Sequence, residues 1–152
     1  MPRTGSHDAA NFDSGEPSLD SWLREHAART ARRHLSATHV WASQGGGIVA
    51  YATLTSSVVA RTDLPKSIGH GFPDTIPAVL LGRLALDKAL QGKGLGGRLL
   101  AEALTIAANS ARDVAAAFVV VDALHEKRWS STSITDSRAC LARSGWYSRS
   151  RQ

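Results

Sequence analysis

With 152 residues, 43% of them apolar, the chain has the size of one ordinary domain and enough hydrophobic material for a core. It contains no run approaching the roughly 20 apolar residues that span a bilayer, a polar start from Met1 to Asn11 without a signal-peptide core, and one cysteine, Cys140. Membrane, disulfide and cysteine–metal classes are thereby excluded, and a cytoplasmic chain without a metal is expected. The net charge of +5 is uneven, with twelve Lys and Arg against eleven Asp and Glu in residues 1–122 and six against two in residues 123–152, so it does not describe a basic surface spread over the domain.

Ser18 is placed to cap a helix whose Leu19, Trp22, Leu23, His26 and Ala27 follow helical spacing, with Arg29, Arg32 and Arg33 near its end. Those three arginines suit either phosphate contacts with RNA or a solvated helix end. His26 falls on the apolar stripe and reads as a boundary residue. Thr38–Ala42 and Ile48–Val59, separated by Gly45-Gly46-Gly47, predict a β-hairpin. Residues 61–77 hold Pro65, Pro73, Pro77, Gly69 and Gly71, which predicts an irregular surface excursion able to border a substrate site through His70 and Asp74. A strand over Ala78–Leu86, a helix from about Gly94 to Ala111 and a strand over Ala115–Val121 then compose a βαβ unit. Leu95, Leu99, Leu100, Ala103, Leu104 and Ala107 supply the apolar side of that helix.

Between the first strand of this unit and its helix lies Gln91-Gly92-Lys93-Gly94-Leu95-Gly96-Gly97, with four glycines in six residues. Glycines let several backbone N–H groups converge on one anion, and the following helix adds the positive end of its dipole. A diphosphate cradle is expected. Gly92, Gly94 and Gly97 also satisfy G-x-G-x-x-G, with Asp122 about 25 residues beyond. Against a dinucleotide fold stand the late position of the loop, the five residues between Leu86 and Gly92, and the thirty residues left after Asp122. A glycine turn without a ligand is disfavoured by its backbone entropy.

Gln91-x-x-Gly94-x-Gly96, following Leu84-Ala85-Leu86-Asp87 and opening a helix, resembles the acetyl-CoA signature of the GCN5-related N-acetyltransferases. The resemblance implies an α+β fold with a mixed central sheet flanked by helices. It implies that Leu84, Ala85 and Leu86 hold the pantetheine arm, and that Gln91, Gly92, Lys93, Gly94, Leu95, Gly96, Gly97 and Arg98 form the diphosphate cradle. Three further segments, Phe12-x-x-Gly15-x-x-x-Leu19-Asp20-x-Trp22-Leu23, Gly47–Leu54 and Pro77–Asp87, resemble the acetyltransferase toxins of bacterial toxin–antitoxin pairs. This likeness covers roughly residues 7–127, taken as the acetyltransferase domain 1–127, with 128–152 as an atypical Ser/Arg-rich tail. It implies acetyl-CoA as co-substrate, an aminoacyl-tRNA acceptor whose free amino group is acetylated to block translation, a ribbon-helix-helix antitoxin, and a homodimer as a further assembly. Arg29, Arg32, Arg33 and Arg83 are then the candidate substrate contacts. A small-molecule or protein N-acetyltransferase, or an inactive acetyl-CoA- or antitoxin-binding protein, are the alternatives.

The tail departs from that pattern. The toxin group places Phe-Tyr-Glu about ten residues after the position of Asp122, and its tyrosine returns a proton to the leaving thiolate. Here Trp129-Ser130-Ser131-Thr132-Ser133-Ile134-Thr135-Asp136-Ser137 stands instead, and the only tyrosines are Tyr51 and Tyr147. The expected position falls near Thr132, so the catalytic residue is unassigned. Trp129–Ser137 can be encoded so that the neighbouring frame reads Val, Leu or Met and then Glu-Phe-Tyr-Glu-His-His-Gly-Phe. A one-base frameshift near residues 125–128 is therefore expected, with loss of the proton donor and alteration or loss of the last strands.

Overall fold

The computed structural model describes residues 1–122, 138–142 and 145–148. Helix α1 (Pro17–Glu25) begins at a proline, whose missing N–H costs nothing in a first turn, and is preceded by Glu16 as N-cap rather than by Ser18. The helical path is interrupted at His26 and resumes as α2 (Ala27–Arg32), so the single helix read from the spacing is two. Their buried residues, Leu19, Leu23 and Ala27, nonetheless hold the foreseen spacing and form one apolar stripe.

Strands β1 (Ala37–Ala42) and β2 (Ile48–Ala60) pair antiparallel across the glycine turn, where Gly46 takes a φ of 82°. The excursion after β2 holds a 3₁₀ turn (Arg61–Asp63) and the single turn α3 (Lys66–Gly69). Strand β3 (Thr75–Leu86) starts earlier than the apolar run, because Thr75–Pro77 still pair with β2. Helix α4 (Leu95–Asp113) then returns the chain to β4 (Phe118–Asp122), which lies parallel to β3. Two strands unforeseen from the sequence, β5 (Arg138–Ala142) and β6 (Gly145–Ser148), extend the antiparallel pairing outward from β4. The sheet is mixed, in the order β1-β2-β3-β4-β5-β6, as the α+β expectation requires.

Two apolar layers hold the sheet. Leu99, Leu100, Ala103, Leu104, Ala107 and Ala111 of α4 are buried, and most of them meet Ala52, Leu54, Val79, Leu81, Val119 and Val121 on one face. On the other face Phe12, Leu19, Leu23 and Ala27 pack on Val40, Tyr51 and Ala85. Alternation along β2 sends Tyr51 to one layer and Ala52 to the other, the period-2 rule of a strand covered on both sides. The Tyr51 ring sits edge-on to Phe12 and stacked on Trp22, while its hydroxyl donates to the Leu19 carbonyl at 2.8 Å. Burial pushes the Tyr51 phenol well above its ordinary pKa. Its proton is committed to α1, which makes it a core residue.

Candidate functional site

The site is set by a change of partner along β3. Ala78–Leu81 pair with both β2 and β4, in the register Ala78↔Phe118 to Leu81↔Val121. A bulge follows: Thr53 pairs with Arg83 and Leu54 with Leu81, leaving Gly82 unpaired. Beyond it, Arg83–Leu86 retain β2 on one side only, since no described residue of β4 pairs with them. The bulge bends β3 away from β4. Among the described residues no strand pairs with the other edge of Arg83-Leu84-Ala85-Leu86, an arrangement suited to an extended, amide-bearing ligand, which can add to it as a further strand would.

That open edge leads directly into the glycine loop. Asp87 caps a short 3₁₀ turn (Lys88–Leu90) by accepting from the Ala89 N–H at 2.9 Å, after which Gly92 and Gly94 both take left-handed conformations, with φ of 75° and 74°. Gly94 is the N-cap of α4 and provides no side-chain cap, so the first-turn N–H groups of a 19-residue helix face outward. A Cβ added at Gly92, Gly94 or Gly97 would meet nothing within 4 Å. The space around these three glycines is open. Lys93 and Arg98 are exposed beside it, two cations suited to phosphate oxygens. The residues present thus fit the two halves of acetyl-CoA: the strand edge suits amides and the loop suits a diphosphate.

Gln91 has a different job from its neighbours. Its side-chain amide donates to the Ser14 carbonyl at 2.9 Å and to the Leu86 carbonyl at 2.8 Å. The loop is pinned at its first residue to the end of β3 and to the segment before α1. The residues Leu84, Ala85, Leu86, Gln91, Gly92, Lys93, Gly94, Leu95, Gly96, Gly97 and Arg98 are therefore brought together, with Gln91 turned inward.

The candidate substrate arginines divide. Arg83 lies with its guanidinium carbon 4.2 Å from the centre of the Trp22 ring, a cation–π contact that holds it at the bulge where β3 and β4 part. Arg29, Arg32 and Arg33 are exposed at the end of α2, where cations complement the helix dipole. Arg29 also meets the His26 ring nitrogen at 2.7 Å. His70 helps to line a cavity of about 500 Å³ with Arg61, Thr62, Leu64, Lys66 and Gly69. Asp74 pairs with Arg61 instead. That cavity adjoins the opposite end of β3 from the glycine loop, roughly 35 Å along the strand. The expected proton-donor position near Thr132, the tail boundary and the Trp129–Ser137 segment lie outside the described residues.

Thr38, Thr53 and Arg83 stand opposite one another on β1, β2 and β3. The hydroxyls of Thr38 and Thr53 are buried without a hydrogen-bond partner. An unsatisfied buried hydroxyl costs about 1–3 kcal/mol. Thr53→Val, which keeps the shape and removes the hydroxyl, is expected to raise unfolding stability by about 1 kcal/mol, read as a higher denaturant midpoint at unchanged slope. A fall in the midpoint would show that the hydroxyl is paired in solution.

A sequence profile of the acetyltransferase (GNAT) family matches residues 6–128. The chain belongs to the GNAT acetyltransferase family. A tRNA-acetylating toxin of Mycobacterium tuberculosis (strain ATCC 25618 / H37Rv) is 37% identical over 120 residues, 79% of this chain and 72% of that protein. Among solved structures, AtaT complexed with acetyl-methionyl-tRNAfMet matches with a TM-score of 0.73 at 33% identity, over 82% of this chain and 75% of that one. AtaTR bound with AcCoA matches with a TM-score of 0.73 at 28% identity, over 91% and 88%. The AtaT–AtaR complex bound to DNA matches with a TM-score of 0.68 at 26% identity, over 92% and 89%.

Proposed function

We propose that this chain binds acetyl-CoA and is built to acetylate the amino group of an aminoacyl-tRNA in the cytoplasm, as the toxin of a toxin–antitoxin pair. The observation that carries this reading is the open edge of Arg83–Leu86 running straight into the glycine loop, in a chain 37% identical to a tRNA-acetylating toxin. Leu84–Leu86 align the pantetheine arm by main-chain hydrogen bonds. Gly92–Arg98 hold the diphosphate, with Gln91 fixing the loop. Acetyl transfer then needs an uncharged amine against the thioester carbon, a polarised carbonyl and a proton for the departing thiolate. Arg83, fixed by Trp22 beside the strand split, and Arg29, Arg32 and Arg33 at the end of α2 meet the phosphates of the acceptor RNA. A ribbon-helix-helix antitoxin is the proposed neutralising partner, and a homodimer the proposed assembly.

The sequence favours a second state of this same protein, an acetyl-CoA binder without turnover. Tyr51 is committed to the core, and Thr132 stands near the position of the family's proton donor. The two states are separated by calorimetric titration with acetyl-CoA followed by a turnover assay on charged tRNA. Binding with at most weak turnover is expected. Failure to bind acetyl-CoA overturns the reading altogether.

A further inference from the structure

The segment Phe12–Ser14 lies between the entry to the glycine loop and α1, and it is fastened to both. Toward the loop, the Ser14 carbonyl accepts from the Gln91 amide at 2.9 Å. The Asp13 carbonyl accepts from the Lys88 N–H at 2.8 Å, the Asp13 N–H donates to the Asp87 carboxylate at 3.1 Å, and the Asp13 carboxylate pairs with the Lys88 ammonium at 3.2 Å. The Gly15 N–H and then Lys88 hold the Asp13 carboxyl below its ordinary pKa. Toward α1, both the N–H and the hydroxyl of Ser14 donate to one oxygen of Asp20, at 3.0 and 2.6 Å. The Arg24 guanidinium donates to the Phe12 carbonyl at 3.1 Å. Asp20 is buried in the first turn of α1, where a carboxylate also favours the helix dipole.

These contacts close a circuit. Gln91 ties the loop to Ser14, Ser14 is held by Asp20, and α1 carries Trp22, which holds Arg83. Arg83 lies on the same strand as Leu86, whose carbonyl receives the second Gln91 hydrogen bond. The glycines within the loop have open space around them, and the tether is the side-chain link that joins the loop to Ser14 and the end of β3. A ligand that orders the loop thereby orders the tether, and through it α1.

We propose that Gln91, Ser14 and Asp20 are positioning residues that couple occupancy of the glycine loop to the order of α1 and of the Trp22–Arg83 pair beside the strand split. The proposal rests on the acetyl-CoA reading given above and adds a consequence of binding to it. Coupling of this kind is reciprocal: a change that shifts α1 toward disorder weakens acetyl-CoA binding by up to the factor by which acetyl-CoA orders α1.

Amide hydrogen exchange of the full chain, with and without acetyl-CoA, tests it. Exchange at Leu19–Leu23 is expected to slow by roughly fivefold or more on binding, the lower end of ordinary coupling. Gln91→Met, which keeps length and removes both donors, is expected to weaken acetyl-CoA binding about five- to tenfold and to abolish the response in α1. Asp20→Ala touches no loop residue, yet is expected to weaken acetyl-CoA binding and blunt the same response. A purely structural role predicts lower thermal stability with an unchanged α1 response, and that result would overturn the coupling. Should either variant fail to fold, exchange in the unaltered chain decides alone: binding without protection of α1 overturns the coupling, whereas absence of binding overturns the acetyl-CoA reading beneath it.

Discussion

Inserting one base near codons 125–128 is expected to raise acetyl transfer sharply without changing the proposed acetyl-CoA binding. Where the codons of Trp129–Ser137 are those whose neighbouring frame reads Glu-Phe-Tyr-Glu-His-His-Gly-Phe, the inserted base returns a phenol to the reaction. A positioned general acid is worth roughly 10²–10⁴-fold, so acetylation of charged tRNA should rise by about that factor. Growth arrest on expression should accompany the change and be relieved by the antitoxin. Acetyl-CoA affinity should move little, because the open strand edge and the glycine loop lie entirely before residue 100. Replacing the restored tyrosine with phenylalanine should return the rate to that of the starting chain. Equal rates before and after the insertion, or encoding DNA whose neighbouring frame lacks Phe-Tyr-Glu, would sink the frameshift proposal.

Local chemistry was legible wherever a residue's role depends on its neighbours in sequence. The apolar, β-branched run Ile48–Val59 marked β2 as a strand, and the spacing of Leu99, Leu100, Ala103, Leu104 and Ala107 marked α4 with its buried side. The glycines at the start of α4 carried the expectation of a cradle, and Gly92 and Gly94 do take the left-handed conformations that no other residue adopts as cheaply. The start of α1 was misplaced because Ser18 is a good cap by composition, whereas Pro17 fits the first turn by its fixed φ and moved the boundary. The break at His26 left no trace in the apolar stripe, because Leu19, Leu23 and Ala27 keep their spacing through it.

Long-range contacts left no such local mark. Gln91 was assigned to the cradle with its neighbours, and only the fold shows its amide spent on carbonyls 77 and 5 residues away. Ser14 and Asp20 stood inside a recognisable segment, but nothing in their spacing says that Ser14 also receives the glycine loop. Arg83 was read from an apolar run as a candidate substrate contact, and its place over Trp22 requires two residues 61 positions apart to meet. The sequence carried the glycine loop itself but none of the contacts that brace it.

Replacing Gly94 separates the loop's two duties, conformation and clearance. At a φ of 74° an ordinary side chain strains the backbone by about 1–2 kcal/mol, so Gly94→Val should lower stability and abolish measurable acetyl-CoA binding together, which by itself proves little. Gly94→Asn is the sharper variant, because asparagine tolerates the left-handed region. A Cβ there meets no protein atom within 4 Å. Stability should therefore stay near that of the unaltered chain. The space the side chain enters is the one the diphosphate is proposed to occupy, so acetyl-CoA affinity should fall about 10- to 100-fold, the loss of one or two charge-assisted hydrogen bonds. Gly46 provides the control, since it has a φ of 82° and equally open surroundings in the β1–β2 turn. Gly46→Asn should leave both stability and affinity unchanged. If Gly94→Asn binds acetyl-CoA as tightly as Gly46→Asn does, the open side of the glycine loop is not where the diphosphate lies.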